Sequence, residues 1–535
     1  MRLRDLGFIC LIVACGLALG RGVFRSSASV TAVKADVSQP RHERPDIIGR
    51  VDEAFRRSWQ ERGIEPAPPA PDLAVMRRLS LALTGTLPSL EEIRRFEAQP
   101  PERRIDGWLD DLLRDRRSAD YLAERFARAF VGTEDGPFIQ FRRRRFISWL
   151  SDALLENRPY SAIVRDLIAD RGIWTDHPAT NFVSVTFDPA VELPDPERLA
   201  ARVSRAFLGA RIDCAQCHDH PFQHWKQADF RSLAAFFGGV HSNLRGISDG
   251  EVFYKPLDRK TKAPTTVEAR VPSHPELQPK EGTPRQQLAG WIVDPRNPYF
   301  SRATVNRVWA FAFGRPLVDP IDDLATADEI PEVLDILAAD FAEHGYDLHR
   351  LIRTIIATEA FRLESDAPPS PTAEPKDETW AAFPMTRLRP EQVAGGIHQA
   401  AAVTTIGPES SWVVRFISYT ERNDFVRRYG DTGEDEFAPR GGTIPQRLLL
   451  MNGEMVEKKI KGDMFNASKR IAQLAPDDDK AVELTYLAVL TRRPTPDEAA
   501  HFKNRFEGIK GDRRADLLTD LYWTLLNATE FSWNH

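Results

Sequence analysis

Apolar residues recur at intervals of three and four through most of the chain after residue 46, and this limits the folds open to it. That spacing puts apolar side chains on one face of an α-helix. Helix-start signals separate the periodic segments: Ser89 followed by Glu92 forms a capping box, and Asp195 precedes Pro196 at a first helical position. Alternation typical of strands is confined to short runs. The sequence therefore predicts a mainly α fold.

The periodic segments fall into groups divided by Pro-rich and Gly-rich stretches. The first group is predicted at Ile47–Gly63, Leu73–Leu83, the segment after Ser89, Ile105–Asp115, Ser118–Phe130, Phe138–Asn157, Ile163–Asp170 and 197–212. The second group is predicted from Arg285 onward, at Ala303–Phe313, Pro331–Glu343 and Leu348–Thr358, with a further helical block from Arg389 to the end.

The chain has 535 residues, which is too long for one ordinary core and indicates two or three domains. We predict two helical domains, at 46–242 and 285–535, joined by an irregular linker at 243–284. Short alternating runs at Val252-Phe253-Tyr254 and Thr266-Val267-Glu268 favour a small β-hairpin in that linker.

The charge balance argues against a nucleic-acid partner. The chain has 72 Lys and Arg against 78 Asp and Glu, a formal net charge of -6, so no global field attracts polyanions. With 42% hydrophobic and 28% charged residues, the composition is that of a globular protein.

The first 20 residues resemble an export leader. Arg2 and Arg4 precede the apolar run Leu6–Leu19, which at about 14 residues is shorter than the ~20 that a membrane span needs. Three outcomes stay open: cleavage after Ala18-Leu19-Gly20, lipidation of Cys15 in a lipobox-like context, or an uncleaved membrane anchor. Each predicts export to the periplasm or the outer face of the cytoplasmic membrane, with residues 21–45 as a flexible tether.

The cysteines supply the main functional clue. Of the four, two lie in the leader, and Cys214 and Cys217 are the only thiols of the remaining chain. They form a C-x-x-C-H motif with His218. At this spacing two thiols can attach covalently to haem while the histidine binds its iron, so the motif predicts haem c. Bacterial attachment of this haem happens outside the cytoplasm, in agreement with the leader.

A second axial ligand is not fixed by the sequence. His220 is too near His218 to reach the opposite face of a haem, whereas His224, His241 or the distant Met385 can be considered, as can an open site. Asp219 is a candidate for orienting an imidazole, or simply a turn residue.

Other uses of the thiols remain open. Cys214, Cys217, His220 and His224 are four ligands of types that zinc or iron accepts, although in an unusually compact arrangement. A disulfide at this spacing is strained. A thioredoxin-like pair is disfavoured because no βαβ pattern surrounds the motif.

Several longer stretches resemble known families. Three stretches of the first half are Leu79–Pro88 (LSLALTGTLP), Arg202–Arg211 and Cys214–Phe237. They resemble the planctomycete cytochrome-c-like domain of unknown function. Three later stretches, Asn297–Val318, Leu334–Arg362 and Leu490–Ala499, resemble the planctomycete-specific domain that commonly follows it. The resemblance implies secretion, two helical domains and a cytochrome-like character carried by Cys214, Cys217 and His218. It implies no established reaction.

The function that we expect is that of an exported haem-c-type electron-transfer protein of the bacterial envelope, with a redox partner protein or an envelope component as its partner. Two alternatives stay open. One is an envelope scaffold or glycan-associated protein with a structural Cys/His metal site, and the other is a metal-dependent hydrolase. Sequence motifs for a serine hydrolase, a zincin, a P-loop or a Rossmann fold are absent from the chain.

Overall fold

The computed structural model describes the chain from Asp46 onward, apart from several short segments. The described residues are 46–133, 142–243, 245–251, 254–257, 263–327, 329–365, 378–430, 433, 437, 442–460 and 466–535, without the side chains of 412, 413, 415 and 416. The predicted leader with Cys15, the predicted tether and most of the run Val252-Phe253-Tyr254 therefore lie outside the described residues.

Helices account for most of the described chain, and the predicted mainly α fold is confirmed. In the first predicted domain they are Asp46–Glu61, Asp72–Thr84, Leu90–Glu97, Arg104–Arg114, Arg116–Val131, Arg143–Leu155, Tyr160–Ala169, Asn181–Ser184, Pro196–Val203 and Gln227–Ala235. Short 3-10 helices lie at Pro101–Arg103, Pro178–Thr180 and Ile212–Gln216.

The remaining helices lie from residue 284 onward. They are Pro284–Ile292, Pro298–Phe313, Glu332–Glu343, Leu348–Ala357, Glu359–Arg362, Pro390–Ala400, Trp412–Tyr429, Ile444–Asn452, Glu454–Ile460, Ala467–Leu474, Asp478–Leu490, Pro496–Phe506 and Asp512–Leu526. Further 3-10 helices lie at Pro275–Leu277, Leu324–Thr326 and Glu530–Ser532.

The predicted helix starts are present as hydrogen bonds. Ser89 Oγ accepts the amide of Glu92 at 3.1 Å, and Glu92 Oε2 accepts the amide of Ser89 at 2.8 Å. Asp195 Oδ1 accepts the amide of Glu197 at 2.9 Å. These contacts satisfy amides that have no partner within the helix, which is why the sequence signal is reliable.

Strands form only two-stranded antiparallel ladders in the described residues. Phe187–Asp188 pairs with Leu193–Pro194, Val240–Asn243 with Gly246–Asp249, and Thr386–Arg387 with Trp533–Asn534. A small hairpin is thus present, but it begins at Val240 rather than in the alternating runs of the linker. Gly246, the first residue of the second strand, has a φ of 93°, a backbone conformation that favours glycine.

Helices of both predicted domains contribute to a shared apolar core within the compact unit Asp46–His535. The rings of Phe126 and Phe311 lie edge to face at 5.3 Å, and Tyr160 stacks on Phe300 at 5.5 Å. Trp309 is fully buried. Such contacts between large aromatic side chains exclude water and fix the helices relative to one another.

Candidate functional site

The segment leading to the C-x-x-C-H motif differs from the single helix predicted over 197–212. The α-helix ends at Val203, a π-helical turn follows over Ser204–Leu208, and Gly209 ends it with a φ of 58°. A Cβ at Gly209 would lie 3.0 Å from Leu324 Cγ, so this backbone position also favours glycine through close packing. The chain then enters the 3-10 helix Ile212–Gln216, which carries the first cysteine.

Both thiols of the motif are available for chemistry. Cys214 and Cys217 are exposed and form no disulfide. Between them, Ala215 is fully buried and packs into the core. The motif is therefore anchored by Ala215, while both cysteines are exposed.

His218 has a defined tautomer. Its ring is exposed, and Nδ1 lies 2.7 Å from the main-chain oxygen of Asp219. Because a carbonyl oxygen can only accept a hydrogen bond, Nδ1 carries the proton and donates. In the neutral ring the lone pair of Nε2 is left for a metal, and the hydrogen bond to the carbonyl oxygen orients the imidazole.

His220 has the opposite arrangement. Its Nδ1 accepts the amides of Phe222 and Gln223 at 3.3 Å and 3.0 Å, so the proton of the neutral ring is on Nε2. The amide of His220 donates to the main-chain oxygen of Trp225 at 2.8 Å and closes the loop. In this conformation His220 organises a turn and has no free lone pair for a metal ion.

The remaining candidate ligands are in different surroundings. His224 is exposed, and its ring lies 4.2 Å from that of the buried Trp225. His241 is in the hairpin, where a Cβ at Gly250 would lie 2.7 Å from its Nε2, so that edge of the ring faces the backbone. Met385 is 53% exposed. Of the three, His224 is the one in the same loop as the motif.

The described side chains contain no group of three or more His, Cys, Asp or Glu placed to hold a metal ion. The alternative set Cys214, Cys217, His220 and His224 is therefore not assembled in this conformation. His220 would have to release two backbone amides before its Nδ1 became a ligand.

Hydrogen bonds from neighbouring elements hold the backbone of the motif. Gln216, between the two cysteines, donates from its amide nitrogen to Glu197, and Glu197 also accepts the hydroxyl of Tyr254 at 2.9 Å. Gln227 donates from Nε2 to the main-chain oxygen of Gln216 at 3.0 Å. The amide of Gln227 donates to Asp219 Oδ1 at 2.9 Å. The carboxylate of Asp219 thus binds the start of a helix, while its carbonyl orients His218.

Aromatic residues around the motif divide by exposure. Trp225, Phe236 and Phe237 are buried in the core, whereas Phe222 is 92% exposed at the tip of the loop. An exposed phenylalanine side chain loses the favourable free energy that its burial would provide. The sequence alone did not separate these two roles.

Two family profiles match the chain. The family described as PSCyt2: Protein of unknown function (DUF1549) matches residues 50–242, and PSD1: Protein of unknown function (DUF1553) matches residues 284–506. The two matches lie in the order that the sequence resemblance predicted. No curated protein and no solved structure matches it.

The DUF1553 segment contacts both flanks of the motif in the DUF1549 segment. Asp322 Oδ1 accepts a hydrogen bond from Nε of Arg211 at 2.8 Å, and the amide of Leu324 donates one to the main-chain oxygen of Gly209 at 2.8 Å. Gln223 Nε2 donates to Asp323 Oδ2 at 3.1 Å. This role of the two aspartates could not be predicted from the sequence, because an adjacent pair of aspartates carries no signal of its own.

Among the described helices, none is long and apolar enough to cross a membrane. The predicted leader is outside these residues, so this finding applies to the DUF1549 and DUF1553 segments.

Proposed function

We propose that this protein is an exported haem-c-type electron-transfer protein, in which Cys214 and Cys217 attach the haem and His218 is its proximal ligand. The observation that carries the proposal is the Nδ1 contact of His218 with the Asp219 carbonyl, at 2.7 Å. In the neutral ring this contact leaves the lone pair of Nε2 available, and Cys214 and Cys217 are exposed and form no disulfide.

The donor set fits haem c. Covalent attachment needs two reduced thiols that an attachment system can reach, and both sulfur atoms are exposed. When bound, the haem iron would supply one-electron redox chemistry at the surface of the protein.

The chain's own residues do the positioning. Ala215 anchors the motif in the core, and Glu197 fixes Gln216 between the thiols. Asp219 sets the proton position on His218 through its carbonyl. If haem is bound, Cys214 and Cys217 would hold it through thioether bonds and His218 would ligate its iron.

The test is expression of the full chain with its leader in a host that has the c-type haem attachment machinery. We expect a Soret band and haem that stays on the polypeptide after denaturation. Cys214→Ala with Cys217→Ala should abolish the covalent haem. A wild-type protein without covalent haem under conditions that load a known cytochrome c in the same host would contradict the proposal.

A second pair of variants separates the histidines. His218→Ala should remove the proximal ligand and change the spectrum, whereas His220→Asn should leave the iron coordination as it is. Metal analysis of the same preparations distinguishes the alternative: stoichiometric zinc that His220→Asn removes would favour the structural metal site.

A further inference from the structure

The two flanks of the haem-binding motif both end on one short segment of the second family domain. Gly209 and Arg211 precede Cys214, and Gln223 follows His218. All three contact residues Asp322 to Leu324. A loop whose two ends are fixed at one place loses conformational freedom in between.

Asp322 forms ion pairs with the flank that precedes Cys214. Its Oδ1 lies 2.7 Å from Nη2 of Arg211, and its Oδ2 lies 3.7 Å from Nη1 of Arg205. Arg205 also pairs with Asp213, the residue immediately before Cys214. The side chain of Asp322 is only 15% exposed, whereas those of Arg205 and Arg211 are 39% and 37% exposed, so solvent screens these ion pairs in part.

Asp323 joins the two flanks directly. Its Oδ1 accepts the amide of Arg211 at 3.4 Å and Nε2 of Gln223 at 3.2 Å. Its Oδ2 accepts the same Nε2 at 3.1 Å. Asp323 is buried, so loss of this carboxylate would leave Gln223 Nε2 without these acceptors.

We propose that Asp322 and Asp323 are positioning residues of the haem site, so that the DUF1553 segment completes a site whose covalent residues all lie in the DUF1549 segment. The inference rests on the proposed function for its haem readout. Its structural part concerns the order of segment 209–223 and is measurable without haem.

The first experiment is hydrogen exchange of the apoprotein by mass spectrometry. Asp323→Ala should speed exchange of amides in 209–223 about tenfold, the effect expected from loss of charge-assisted hydrogen bonds to one carboxylate. Gln223→Ala is the milder variant, because it removes only the hydrogen bonds from Gln223, which follows the motif, to Asp323. Asp323→Asn keeps an acceptor oxygen and should restore most of the protection.

The matched control is Asp340→Ala. Asp340 is a carboxylate of the DUF1553 segment whose side chain is 11% exposed and accepts a hydrogen bond from Nη2 of Arg350 at 2.7 Å. It should leave exchange in 209–223 unchanged. Equal acceleration of 209–223 by Asp340→Ala and Asp323→Ala would overturn the proposal, because general destabilisation would then account for both. Wild-type exchange in Asp323→Ala and Gln223→Ala would overturn it too.

The second experiment measures haem per chain and the midpoint potential in the attachment host. Asp323→Ala should reduce attached haem and shift the potential of what remains, with Asp323→Asn near wild type and Asp340→Ala unchanged. If wild type takes up no haem, the proposed function fails while the exchange result still decides whether the two aspartates order the segment. If wild type is loaded and the exchange changes without effect on haem or potential, the positioning role is wrong and the proposed function stands.

Discussion

Arg125 and Glu391 form a buried ion pair between the two family segments, with Nη1 of Arg125 2.8 Å from Oε1 of Glu391. The same Oε1 accepts Nε of Arg389 at 3.1 Å. Burial acts to raise the pKa of Glu391, but Arg125, Arg389 and Arg128 outweigh it and lower the pKa. The carboxylate therefore stays charged inside the protein and compensates the guanidinium groups around it.

Glu391→Ala should destabilise the fold strongly. The substitution leaves Arg125 and Arg389 buried without their shared carboxylate, which typically costs about 3–5 kcal/mol. Urea unfolding followed by circular dichroism measures the change. Glu332→Ala is the control, since Glu332 pairs with Arg57 at the surface and should cost less than about 1 kcal/mol. Equal effects of the two variants would contradict the role of the buried pair.

The stability of the protein should fall in mild acid because of His398. This side chain is 6% exposed, and burial, with Lys459 and Arg422, lowers its pKa from 6.5 to about 3. Between these values the unfolded chain binds a proton that the folded chain does not. Stability from this group is therefore complete above pH 6.5 and is lost as the pH falls toward 3.

Urea unfolding at pH 7 and pH 5 tests this linkage. We expect His398 to contribute a loss of about 2 kcal/mol over that interval. His398→Gln should remove that part of the pH dependence, and His501→Gln, at an exposed position, should not. An unchanged pH dependence in His398→Gln would show that other groups cause it.

Gly246→Ala should destabilise the hairpin that follows the site. A Cβ here would lie 2.0 Å from the main-chain oxygen of Gly172, and the φ of 93° is unfavourable for alanine. Because the obstruction is backbone, we expect a cost of about 1–3 kcal/mol by urea unfolding. Gly49→Ala, with no atom within 4 Å of the new Cβ, should be neutral or slightly stabilising. If Gly246→Ala had no effect on stability, the hairpin and the main chain at Gly172 would have to separate readily.

Asp219→Ala should release the imidazole of His218. Without the carboxylate that accepts the amide of Gln227, the peptide whose carbonyl binds Nδ1 loses its fixed orientation. Nitrogen and carbon chemical shifts of the His218 ring in the apoprotein report the tautomer. We expect the Nδ1–H form in wild type and in Asp219→Asn, and a mixture in Asp219→Ala. A mixture in the wild type would contradict the hydrogen bond itself.

Helix positions were largely predictable because their signals are local. Ser89 and Glu92 satisfy each other's amides within one turn, and Asp195 does the same for the helix before the motif. The predicted continuation of that helix to residue 212 was wrong. Gly209 adopts a left-handed conformation there and packs against Leu324, a residue far away in sequence.

The roles of the histidines show the same division. The spacing of Cys214, Cys217 and His218 identified the motif, but it gave His220 and His224 equal standing as zinc ligands. Backbone amides distinguish the two rings, since two amides occupy Nδ1 of His220. Such contacts depend on the path of the loop, which no residue spacing specifies.

The amino-acid sequence by itself determined the helical class, the cap residues, the resemblance to two families and the thiols with their adjacent histidine. Each of these follows from residue types within a few positions of one another. Only the tertiary structure decided that Asp322 and Asp323 bind both flanks of the motif, and that Glu391 neutralises Arg125. Hydrogen bonds and ion pairs act over a few ångströms, so residues separated by a hundred or more positions interact only once the helices have packed.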